Sequence, residues 1–306
     1  MKRKLHLLLA SAAILVLASC GGNDSPGGGT GVPAATTNAN ANNPKTSRKE
    51  VVRLEFPRLK DDNSIVLVHK TNDGYDPDGV NYAVEWDTQL KSQRWTCYQM
   101  HKGYTGSAGY YGTFTEDPDL PSYARFPDTN YMYSGSGFTR GHICPSADRQ
   151  YSKEANIQTF YYSNMQPQYY NFNAGKNYTG VWVKMENMVR SWTGQLAATD
   201  TMYVCKGGTI DGRDNILMRI KNQLIVPKYF FMALLIKNST GYKALGFWAE
   251  HNNAILSSVN LKDYVVSIAE LQQKTGIDFF CNLPDDTENH VENLPKDNIL
   301  AAWGFK

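Results

Sequence analysis

The run Tyr229 to Ile236 (YFFMALLI) is unbroken apolar sequence, and Lys243 to Ala249 (KALGFWA) follows it across Asn238-Ser239-Thr240-Gly241. Such a pair reads as two strands joined by a hairpin. Other short runs rich in β-branched and aromatic residues carry the same signal: Ser64 to Lys70, Asn81 to Asp87, Arg94 to Met100, Thr159 to Ser163 and Thr201 to Lys206. Helical periodicity is confined to two places. Trp182, Met185, Val189, Trp192 and Leu196 share one face of a helix over 181–196. Leu261, Tyr264, Val265, Ile268 and Leu271 predict a second over 261–275, with Asn260 as N-cap and Gly276 as C-cap. Consecutive strands with few intervening helices predict an α+β domain with a largely antiparallel central sheet flanked by helices.

The amino terminus is of another kind. Lys2, Arg3 and Lys4 precede an apolar run, Leu7 to Leu17, that ends in Leu17-Ala18-Ser19-Cys20. This is the pattern of a signal peptide over residues 1–19 with a lipobox. It is too short for a spanning helix and is closed by small residues. Cys20 is then expected to carry the lipid that anchors an exported bacterial lipoprotein to a membrane of the cell envelope, on its periplasmic or surface face. Residues 20–48 hold almost no large apolar side chain and read as a flexible linker, which leaves 49–306 as the folded domain. The whole chain carries 31 basic and 29 acidic residues. Loss of residues 1–19 removes three cations, leaving 28 − 29 = −1. A broadly basic nucleic-acid footprint is thereby excluded, and any such contact must be local. Cys97, Cys144, Cys205 and Cys281 contain no CxxC spacing that would suggest zinc; two bridges, one bridge or four buried thiols all fit.

The chemistry concentrates in Thr139-Arg140-Gly141-His142, followed by Ser163-Asn164-Met165-Gln166-Pro167-Gln168, then Asn173, then Glu186 and Arg190 one helical turn apart. An imidazole beside a guanidinium can activate water against a phosphate. Glu186 and Arg190 flank the apolar stripe of the Trp182 helix, where a carboxylate can reach a solvated cavity. As an alternative they form an ordinary surface ion pair.

This block resembles the DNA/RNA non-specific endonucleases, the ββα-metal nucleases, over most of residues 75–285. The resemblance implies a ββα-metal core with His142 as general base and Asn173 as direct ligand of a divalent cation. The ion would be Mg²⁺, with Mn²⁺ or another divalent cation able to substitute, and no organic cofactor is implied. Glu186 would orient a metal-bound water, Arg140 or Arg190 would neutralise phosphate charge, and Asn164 and Thr139 would support the site. DNA and RNA are the implied substrates, cut without regard to sugar to leave 5′-phosphate ends.

Three departures from the family pattern stand out. Thr139 occupies the position where the family usually has Asp. The segment between Asn173 and Trp182 is about five residues longer than usual, which makes Asn177 a rival ligand. The Arg that commonly precedes Phe114-Thr115-Glu116-Asp117-Pro118 is missing, with Arg125 a possible substitute. These departures motivate an alternative function, a catalytically silent, envelope-anchored relative that binds nucleic acid or another surface ligand.

Overall fold

The structure, a computed structural model, describes residues 37–104 and 109–305. The expected signal peptide, Cys20 and the first part of the expected linker lie outside the described residues. Along the chain run β1 (Ser64–Lys70), β2 (Val80–Asp87), β3 (Ser92–Met100), β4 (Thr139–His142), β5 (Met165–Gln168) and β6 (Thr201–Gly208). They are followed by β7 (Ile216–Ile220), β8 (Leu224–Pro227), β9 (Tyr229–Asn238), β10 (Gly241–Glu250) and β11 (Val265–Val266). The helices are α1 (Thr129–Tyr133), α2 (Lys153–Gln158), α3 (Tyr170–Asn173), α4 (Val181–Gly194), α5 (Ile268–Thr275), α6 (Asp285–Glu292) and α7 (Lys296–Ala302).

One seven-stranded antiparallel sheet, ordered β1-β2-β3-β6-β9-β10-β11, organises the domain. Both of its faces are buried, which explains why its central strands are apolar without alternation. Tyr82, Val84, Tyr98, Val204 and Phe230 point to one side and pack with Trp182, Met185 and Val189 of α4. Their neighbours Ala83, Trp95, Cys97, Cys205 and Phe231 point to the other and pack with Ile268 and Leu271 of α5 and Val291 of α6. Two short hairpins, β4–β5 and β7–β8, stand apart from this sheet. The Gln166 side chain ties the first of them to it, donating to the Gln93 and Gly208 carbonyls and accepting the Gly208 N–H at 2.6 Å. The α+β, largely antiparallel architecture is the one expected. The four cysteines 97, 144, 205 and 281 are buried thiols without a bridge.

Three local expectations are corrected. Thr159 to Ser163 is not a strand. The Thr159 hydroxyl returns to the Asn156 carbonyl at 2.7 Å, and Asn164 Nδ2 donates to the Thr159 carbonyl at 2.8 Å, so side chains satisfy the backbone that a ladder would use. The strand of this region is β5, two residues on. The helix over 261–275 is interrupted. Asn260 does cap a 3₁₀ turn at Leu261–Tyr264, but Val265 and Val266 pair with Phe247 and Gly246 as the outermost strand. Ser267 then caps α5, which ends at Gly276 in the left-handed region (φ 68°). β-branched residues at the sheet edge prevail there over helical spacing. Finally, the linker over 20–48 is fixed to the domain in its last part. Asn42, 5% exposed, donates to the Val51 and Pro57 carbonyls at 3.1 and 2.8 Å, and its backbone N–H donates to Asn282. Asparagine side chains capping buried backbone groups hold this segment without apolar anchors.

Candidate active site

His142 closes β4, where Gly141 lets the strand lie against Gln168 of β5. A Cβ at position 141 would fall 2.3 Å from the Gln168 side chain. Beyond the strand, Asn164 holds the turn after His142. Its Nδ2 donates to the Cys144 carbonyl at 2.9 Å and its Oδ1 accepts the Cys144 N–H at 2.8 Å. The His142 carbonyl accepts the Trp182 indole N–H at 3.2 Å, so α4 is fastened directly to the strand that presents the imidazole.

The imidazole stands perpendicular to Phe160, with ring centroids 4.9 Å apart, and also contacts Phe114. Its Nε2 is buried and without a hydrogen-bond partner. Nδ1 is therefore the nitrogen left to face the cleft. Burial, reinforced by the charge of Lys206, pushes the imidazole pKa down to about 4, so the ring is neutral at physiological pH.

Asn173 is the last residue of α3. Its carboxamide Nδ2 donates to the Thr139 hydroxyl at 3.0 Å, and that hydroxyl donates to the Gln168 carbonyl at 2.9 Å. The chain Gln168–Thr139–Asn173 fixes the amide and leaves its oxygen uncommitted. The long connection after Asn173 folds back on itself. The Gly175 N–H donates to Tyr170 O at 2.7 Å and the Gly180 N–H to Ala174 O at 2.9 Å. Gly180 approaches so closely that a Cβ there would sit 2.4 Å from the Asn173 carbonyl oxygen. Asn177 is exposed on this loop in the left-handed region (φ 58°).

His142, Asn173, Glu186 and Arg190 line one open cleft of about 500 Å³, with Tyr110, Phe160 and Tyr178 at its walls. Glu186 and Arg190 do not serve each other as an ordinary surface pair. Glu186 accepts from Lys206 at 3.2 Å, and Lys206, 1% exposed, also lies over the Trp182 ring. Burial raises the Glu186 pKa, opposed by the charges of Lys206 and Arg190. Arg190 donates to Asp148 at 2.7 Å and to Asn187 at 2.7 Å, and Asp148 is further held by the Tyr98 hydroxyl at 2.9 Å. Lys206 and Asp148 were not singled out as site residues from the sequence. Lys206 carried a faint signal there, a charge closing the otherwise uncharged run Thr201 to Lys206.

Arg140 stands apart from that lining. Its guanidinium lies between the rings of Phe114 and Tyr133, at 5.1 and 5.3 Å, and donates to Asn130. Arg125 pairs with Glu116 at 3.7 Å away from the cleft. His69, buried, sits 3.0 Å from Asp117, which also accepts the Ser163 hydroxyl, so this Asp bolts the Phe114–Pro118 segment to the strand junction.

The cleft suits a hydrated divalent cation. An uncommitted carboxamide oxygen and a carboxylate are hard oxygen donors, and the cavity has room for water to complete a coordination sphere.

The model of the DNA/RNA non-specific endonuclease family matches residues 68–286. Nuclease C1 of Cunninghamella echinulata var. echinulata is 32% identical over 216 residues, covering 68% of this chain and 83% of that protein. The mitochondrial nuclease EXOG of Xenopus laevis is 30% identical over 219 residues, covering 68% of this chain and 58% of that protein. A nuclease of Nostoc sp. is 29% identical over 223 residues, covering 69% of this chain and 75% of its own. Among solved structures, a chain of the EndoG/EndoGI complex superposes with a TM-score of 0.60 at 20% identity, covering 78% of this chain and 93% of its own. The chain belongs to the DNA/RNA non-specific endonuclease family.

Proposed function

We propose that this protein is a metal-dependent, sugar-non-specific endonuclease that hydrolyses phosphodiester bonds of DNA and RNA. The observation that carries this reading is the convergence of His142, Asn173, Glu186 and Arg190 on one open cleft. His142 Nδ1 takes a proton from water as the water oxygen attacks phosphorus. The bond from phosphorus to the 3′ oxygen breaks, leaving a 5′-phosphate, and the departing oxygen takes a proton from solvent to become a 3′-hydroxyl. Arg190, aimed by Asp148 and Asn187, neutralises charge on the phosphate oxygens. Asn173 and Glu186 would hold Mg²⁺ or another divalent cation, directly and through water respectively. When bound, such an ion supplies Lewis-acid stabilisation of the charge that grows on the phosphate and the leaving oxygen. Arg140, clasped between aromatic rings beside Phe114, is the guanidinium positioned for a phosphate farther along the strand.

Thr139 keeps a hydrogen bond to Asn173 despite replacing the usual carboxylate, which favours an active enzyme over a silent relative. The basic and apolar leader ending at Cys20 supports envelope anchoring through lipid, where indiscriminate cleavage spares the host genome. The full chain, assayed on plasmid DNA and on RNA, should degrade both with Mg²⁺ and neither with chelator. Nucleic-acid binding without cleavage in any divalent metal would reject the enzymatic reading in favour of the silent one.

A further inference from the structure

On the sheet face opposite α4, three carboxylates gather where the start of the described chain meets α6. Glu288 and Glu292 lie one turn apart on α6, and Asp278 follows α5. One oxygen from each lies within 4.8 Å of the others. Asn40 bridges two of them, its Nδ2 donating to Asp278 and to Glu288 at 3.0 Å each. Glu292 is 9% exposed, and one of its oxygens accepts from Gln272 at 3.2 Å. The other, Oε1, is buried and has no donor, and the same is true of the Asn40 carboxamide oxygen.

Two buried carboxylates and one half-buried one at this spacing repel unless protons or a cation neutralise them. The nearby basic side chain, Arg58, spends its guanidinium on the Asn40 and Ala41 carbonyls. Burial accordingly raises all three carboxyl pKa values, with Glu288 at about 7 and Glu292 at about 8. The donors are all oxygen, and carboxylates that can bind through one or two oxygens suit the adaptable coordination of Ca²⁺ better than the rigid octahedron of Mg²⁺. A half-turn of the Asn40 amide exchanges its NH₂ group, which bridges the acids, for its unpartnered oxygen.

We propose that Asp278, Glu288, Glu292 and the Asn40 carboxamide oxygen form a second divalent-cation site, of calcium type, that clamps the beginning of the folded domain onto α6. This site is separate from the nuclease cleft and does not depend on it. Ion binding there would fasten Asn40 and its neighbours, already joined to α6 through the Ala39 N–H to Asp285 at 2.9 Å.

Equilibrium dialysis of the full chain against calcium tests the assignment. Asn173→Ala removes the ligand proposed in the cleft, and that variant should still bind one calcium per chain. Adding Glu292→Gln should weaken binding at least tenfold, as should Asp278→Asn. Glu292→Gln relieves repulsion, so it should fold and melt no lower than its parent in metal-free buffer. In calcium the parent should melt higher and resist proteolysis at residues 37–48, whereas the Glu292→Gln form should gain neither effect. Absence of calcium binding at millimolar concentration, or binding unchanged by both substitutions, overturns the proposal and leaves a cluster neutralised by protons alone.

Discussion

The Thr139 hydroxyl stands between the Gln168 carbonyl and the Asn173 carboxamide, 2.9 Å from one and 3.0 Å from the other. It sets which atom of Asn173 faces the cleft, because an amide whose NH₂ is engaged presents its oxygen. Thr139→Ala frees the amide to rotate. The Mg²⁺ concentration for half-maximal cleavage should rise about tenfold, as is typical when a partner of a metal ligand is lost. Thr139→Ser, which keeps the hydroxyl, should stay within about twofold by that standard. Equal metal dependence in all three proteins would refute the orienting role.

His142 yields a pH prediction with a definite sign. An imidazole pushed down to about 4 stays a free base throughout the neutral range, so the acidic limb of kcat/KM should fall below about pH 5. An unperturbed imidazole would instead place it near 6.5. His142→Ala should lower kcat on the order of 10²–10⁴-fold and abolish that limb. The depressed pKa also means that the folded state is disfavoured as pH drops from about 6.5 toward 4, since the unfolded chain takes up the proton first.

Lys206 is the buried counter-charge of Glu186. Lys206→Met keeps an unbranched apolar side chain but removes the ammonium that lies over the Trp182 and Tyr98 rings. His142 and Glu186 both lose a charge that lowers their pKa values, so both should hold protons to higher pH and the acidic limb of activity should move upward. Removing one partner of a buried pair should also cost about 3 kcal/mol in denaturant unfolding. An unmoved pH profile would show that Lys206 tunes neither group.

Gly141→Ala tests the close contact between β4 and β5. The added methyl group would overlap the buried Gln168 side chain, which must shift within a closed environment. A stability loss of about 1–3 kcal/mol is expected, accompanied by lost cleavage, because the carbonyl of Gln168 anchors Thr139 and hence Asn173. Full activity in a folded Gly141→Ala protein would show that the hairpin tolerates slack.

Much of this arrangement was legible in the sequence because it is local. Trp182, Met185 and Val189 announce α4 by spacing, and Glu186 and Arg190 then fall on its flank. The apolar runs of β6 and β9 declare themselves as strands. What escaped depends on contacts between segments distant in sequence. Lys206 reads as an oddity in a strand until Glu186 is placed above it, and Asp148 as a loop residue until Arg190 arrives. Val265 and Val266 fit a helical stripe equally well, and the available edge of β10 decides against it. The Asn-rich segment before residue 49 has the composition of a tether, but Asn42 finds three backbone carbonyl and side-chain partners that only the fold provides.

The loop after Asn173 carries a wider consequence. It closes upon itself through Tyr170–Gly175 and Ala174–Gly180, so its residues are held between Asn173 and α4 by their own backbone hydrogen bonds. Shortening the excursion carrying Lys176, Asn177 and Tyr178 should therefore change access to the cleft, which Tyr178 lines, while leaving the proposed catalytic residues in place.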